Sequence, residues 1–90
     1  MLPNLTITKS NRHGSAAVIA VTLRKEVETL MTARMHERQH AIQRAEAASE
    51  WGKESILTLA STKVGLPHGD IGILWGELNE LDDALASAKA

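Results

Sequence analysis

The chain has 90 residues, with 10 basic and 11 acidic side chains, 43% apolar residues, two Trp, and no Phe, Tyr or Cys. That length holds one small domain with a marginal core, and the lack of Cys excludes a disulfide scaffold. A net charge of −1 gives no overall pull toward nucleic acid or anionic lipid, and no apolar run approaches the ~20 residues of a membrane span.

The opening Met1-Leu2-Pro3-Asn4 lacks a basic stretch followed by an apolar one, which predicts no secretory leader and a cytoplasmic protein. Residues 1–21 read as a short β-hairpin or an arm. Leu5-Thr6-Ile7-Thr8 alternates apolar and β-branched side chains, as a half-buried strand does. Ala17-Val18-Ile19-Ala20-Val21 is a second short apolar run. The turn formers Ser10-Asn11-Arg12-His13-Gly14-Ser15 separate the two. The competing expectation is an arm followed by an early helix start.

Residues 22–64 read as one long helical segment. Thr22 suits an N-cap. Leu23, Val27, Leu30, Met31 and Met35 recur at three- and four-residue spacing, followed by Ile42, Ala45 and Ala48. Good helix formers dominate this stretch, and no Gly or Pro interrupts it before Gly52. The stripe loses phase around Glu50-Trp51-Gly52-Lys53, which predicts a kink there. Val64-Gly65-Leu66-Pro67 is a helix stop signal, and His68-Gly69-Asp70 a turn with Asp70 as N-cap. A last helix over 70–88 carries Ile71, Leu74, Trp75, Leu78, Leu81 and Leu85 on one face. Asp82 and Asp83 sit in its C-terminal half, where the helix dipole disfavours acid.

The expected architecture is therefore mainly α: a long helix, an antiparallel C-terminal helix, and a short N-terminal hairpin or arm. An unbroken helix over 23–63 would be about 60 Å long, far beyond the reach of one short covering helix. Either the chain breaks near Gly52 or the long helix pairs with a second copy. The Ala-rich stripe of 35–49 buries little area but permits close helix approach, which favours a homo-oligomer, most simply a dimer. Residues 1–53 carry a net +3 and residues 54–90 a net −4, so opposite-sign attraction is available within or between chains.

Three stretches suggest chemistry. His36-Glu37-Arg38-Gln39-His40 matches H-E-x-x-H, which resembles the zinc-protease helix. That resemblance implies two imidazoles on one helix face sharing a zinc, with Glu37 activating its water. Arg38 departs from the uncharged residues usual at that position, and only His68 is on hand as a third ligand. Two exposed histidines on a charged face are the preferred explanation of the match, and no metal or cofactor is expected.

Leu57 to Gly76 resembles a phage-repressor helix-turn-helix. Ser61 is the small residue, Gly65 the turn glycine, and Val64, Leu66, Ile71 and Leu74 frame the turn. The resemblance implies a DNA-binding regulator using residues 57–80, with Arg24, Lys25, Lys63 and His68 as candidate DNA contacts. The recognition helix departs from the pattern. It holds Asp70, Glu77 and Glu80, and no Lys or Arg through Leu81, where phosphate binding wants cations. Ile19 to Val27 is similar to the strand-to-helix passage of ribbon-helix-helix repressors, but only Thr22 offers a base-reading polar group.

The function expected first is non-catalytic. The chain reads as a helical protein–protein interaction module, a small oligomeric regulator or inhibitor of bacterial or phage type. Its oligomer or partner contacts would be Leu23, Val27, Leu30, Met31, Met35, Ile42, Trp51, Leu74, Trp75 and Leu78. DNA binding through residues 57–80 is the alternative, and a zinc hydrolase through His36, Glu37 and His40 the remote one.

Overall fold

The computed structural model describes residues 12–61 and 68–90. Three helices make up this part: α1 (Arg12–Thr32), α2 (Arg38–Ser61) and α3 (His68–Lys89). The mainly helical class is as expected. The element boundaries differ from expectation in two places.

First, residues 17–21 are helix, not strand, and Thr22 lies inside α1 rather than capping it. Ala16, Ile19, Leu23, Val27 and Leu30 are spaced by three or four residues, and all are buried. Burying that stripe outweighs the β preference of Val18, Ile19 and Val21. The early helix start is what the structure shows. Leu5 to Thr8 lies outside the described residues.

Second, the helix breaks at residues 33–37 and not at Gly52. A short turn there ends α1 and starts α2. α2 then runs unbroken through Gly52, and no residue has positive φ among those described. Gly52 serves packing instead. A Cβ at that position would stand 3.1 Å from Leu23 Cδ2 and 3.5 Å from Leu78 Cδ1. The missing side chain lets all three helices meet at one level. The Gly65 stop signal lies outside the described residues. Asp70 sits within the first turn of α3, where the dipole favours a carboxylate.

The cross-helix pairs give the topology. Glu26 meets Arg44, and Leu23 packs over Gly52, so α2 runs back along α1. Glu46 meets Lys89, Ser49 meets Asp82, and Gly52 faces Leu78, so α3 reverses again along α2. α1 and α3 are thus parallel neighbours in an up-down-up bundle. Its longest extent is 44 Å, well short of the about 60 Å of a continuous rod.

Leu23, Val27, Leu30, Ile42, Leu74 and Leu78 form the centre of this bundle. Ala41, Ala45 and Ala48 are buried with them, so the small-residue stripe of α2 serves close packing inside one chain. At the edge of this core lies an ion pair between a buried carboxylate and a part-exposed guanidinium. Glu26 is only 6% exposed and accepts two hydrogen bonds from Arg44, 2.7 Å from Nη2 and 3.4 Å from Nε. The hydrogen bond first, and then the charge of Glu26, raise the Arg44 pKa above its ordinary value.

Candidate interaction face

The α1–α3 side of the bundle combines exposed apolar groups with a concentration of acid. On α1, residues 17, 21, 24 and 28 fall at helical spacing on one face. Ala17 lines a shallow groove with Ala20, Ile73 and Leu74. One turn on, Val21 is 58% exposed. Next, Arg24 Nη2 donates to Glu77 Oε1 at 2.8 Å, crossing to α3. That bond, then the charge of Glu77, raises the Arg24 pKa. Glu28 and Glu80 push it further the same way, while desolvation opposes them. One cation therefore stands among three carboxylates. Further along, Met31, Glu80 and Asp83 border a second groove.

On α3 the outward stripe reads Gly69, Ile73, Gly76, Glu80, Asp83, with Gly72 beside it. Ile73 is 59% exposed. Among the described residues, a Cβ added at Gly69, Gly72 or Gly76 would meet nothing within 4 Å, and none of these glycines has positive φ. Neither packing among the described residues nor backbone conformation calls for glycine there. Helix propensity argues against it, at about 1 kcal/mol per interior glycine.

The residues expected to make contacts fall into two groups. Leu23, Val27, Leu30, Ile42, Leu74 and Leu78 are buried inside their own chain, and Trp51 is half-buried against them. One chain thus accounts for their burial. Met31, Met35 and Trp75 are exposed, Met35 at 92%.

The candidate DNA contacts do not converge. Arg24 is bound to Glu77, Lys25 is exposed, and Lys63 lies outside the described residues. His68 opens α3. The pairs from Glu46–Lys89 to Gly52–Leu78 lay α3 lengthwise along α2, unlike the ~90–120° crossing of a helix-turn-helix. Ile19 to Val27 is helical throughout, with no strand to enter a groove.

The H-E-x-x-H match is broken by the turn. His36 and Glu37 precede α2 while His40 lies within it, so the one-helix geometry of the zinc signature is missing. Both imidazoles border one open groove with Thr29 and Arg44. His36 Nε2 stands 3.5 Å from Glu37 Oε1. Among the described residues, no group of three His, Cys, Asp or Glu side chains is arranged to hold a metal ion.

Sequence reading missed two polar pairs and the glycine face. Glu26 stands three residues from Leu23 and four from Leu30, inside an apolar stripe. A charge at such a position signals a buried pair. Asp82 also escapes its unfavourable place in the helix. Ser49 donates to its Oδ1 at 2.7 Å, and Lys53 Nζ lies 3.7 Å from its Oδ2. Among the described residues, no helix is long and apolar enough to cross a membrane. No protein-family model, curated protein or solved structure matches the chain.

Proposed function

We propose that this chain is a non-catalytic helical module that binds another protein, as a small regulator or inhibitor does, through its α1–α3 face. The carrying observation is the outward stripe of α3. Among the described residues, Gly69, Gly72 and Gly76 have nothing packed on them beside an exposed Ile73, and Glu80 and Asp83 follow on the same face. Small residues let a second helix approach closely, and an exposed apolar anchor supplies area that a partner can bury. The acid of the C-terminal half steers a partner of opposite sign. The partner this chemistry fits is a helix offering an apolar side chain beside Ile73 and Lys or Arg beside Glu80 and Asp83. A cytoplasmic setting suits a chain with no Cys.

The test is site-specific photo-crosslinking in the cells that make the protein. A crosslinker replaces Ile73 in one variant and the exposed Gln43 of α2 in another. The expected result is one discrete protein adduct from position 73, lost on adding Glu80→Lys and Asp83→Lys, and no such adduct from position 43. A nucleic-acid adduct, or equal labelling from both positions, overturns the reading.

A further inference from the structure

The turn between α1 and α2 is made of residues that do not ask for a turn. Ala33-Arg34-Met35-His36-Glu37 contains no Gly or Pro, and neither does the whole stretch from Ser15 to Trp51. Ala, Arg, Met and Glu are good helix formers. No described residue takes a positive φ, so none needs to leave a left-handed conformation for the turn to straighten. The turn's own bonds are short-range: Glu37 N to Arg34 O at 2.9 Å, and Ala33 N to Leu30 O and Arg38 N to Met35 O at 3.4 Å each. Arg34, Met35, His36 and Glu37 are all exposed. Only Ala33 packs against the core.

The apolar stripe also keeps its helical phase across this turn. Leu23, Val27 and Leu30 on α1, and Ala41, Ala45 and Ala48 on α2, repeat the same four-then-three spacing. Leu30 and Ala41 are eleven residues apart, about three turns of α-helix. A hairpin has no need of that, because a non-helical turn resets the phase. A continuous helix requires it.

We infer that residues 33–37 are a hinge that opens into a single helix over residues 12–61, so that two copies of this chain exchange α1. In the exchanged dimer the two long helices run antiparallel. α1 of each copy lies on α2 and α3 of the other, so the contacts that α1 makes in the closed chain are remade between chains while α2 and α3 keep theirs within one chain. The register allows it. The Glu26–Arg44 pair has its midpoint at residue 35, inside the hinge, and the Leu23–Gly52 pair between residues 37 and 38, at the hinge's α2 edge. A two-fold axis through the hinge therefore restores both pairs in trans. Met31 and Met35, exposed in the closed chain, come onto one helix face four residues apart near that axis. Exchange uses the core, whereas partner docking uses the outer α1–α3 face, so the two can fail separately.

The chain has no Cys, so two exposed positions, Lys25 and Ala47, can be changed to Cys and spin-labelled cleanly. The labelled chain is refolded at millimolar concentration in excess unlabelled protein, and the dimer, at twice 9.7 kDa by light scattering, is isolated. The expected distance between the labels on one chain is about 33 Å, twenty-two residues of continuous helix. Met35→Pro, which a helix interior rejects, is expected to weaken dimerisation at least a hundredfold while leaving the monomer folded. A chain that stays monomeric at all concentrations overturns the inference. So does a dimer whose labels stay at the about 10–20 Å of packed neighbouring helices.

Discussion

Glu26 is the residue on which charge and packing bear most heavily. Its carboxylate is buried and accepts two hydrogen bonds from Arg44, which is part-exposed. Removing the arginine leaves an uncompensated acid beside Leu23, Val27 and Leu30. Arg44→Ala is expected to cost about 1–3 kcal/mol, the penalty of a buried group stripped of its partner. Urea unfolding near neutral pH measures it, and a change within error would mean that water reaches Glu26. A raised arginine pKa contributes stability that is present below the unfolded value and lost only as pH rises through the folded one. Its contribution therefore stays constant across the neutral range. Sequence reading could have found Glu26 from its place in the stripe. It could not have found Arg44, eighteen residues away, because that pairing exists only once the chain has reversed.

At the level of elements, α3 carries a conflict between its own stability and its outer surface. Gly72 and Gly76 stand in the helix interior with nothing among the described residues packed on them and with ordinary backbone angles. Gly72→Ala and Gly76→Ala are each expected to stabilise the fold by about 1 kcal/mol. That corresponds to a rise in Tm of about 4–8 °C for a domain this small. If the outer face binds a helix, the same changes weaken that binding, and thermal melts beside crosslinking yield separate the two effects. A fall in Tm would show that these glycines have a structural role after all. Gly52 is the contrast, since there a Cβ would press on Leu23. Three glycines of one helix and one of another thus look alike in sequence, and only their surroundings tell them apart.

Across the whole molecule, Leu23 ties the three helices together. It is fully buried, and it meets the Gly52 position of α2 at the level where Leu78 of α3 arrives. Leu23→Ala is expected to cost about 2–5 kcal/mol, a large share of the ~5–15 kcal/mol typical of a whole domain. The helices should unfold together. Trp51 on α2 and Trp75 on α3 report by fluorescence, and circular dichroism reports all three helices, so the transitions should coincide. A separate early loss of helix without a fluorescence change would show that α1 unfolds alone.

Amphipathic spacing was enough to establish the helical class, the C-terminal helix and most of the core, because three- and four-residue periodicity is local and survives without knowledge of the partner surface. The stripe from Leu23 to Ala48 was legible as helix, including its phase across residues 33–37. Where the chain turns was not legible there. Every residue in the turn is compatible with helix, and the reversal comes from burying α1 against α2 and α3 in one chain. The same tertiary packing turned the strand-like Ala17 to Val21 into helix, drew the small residues of α2 inward, and parted His36 from the helix that holds His40. Each of these depends on which faces meet, and contacts between residues far apart in sequence decide that.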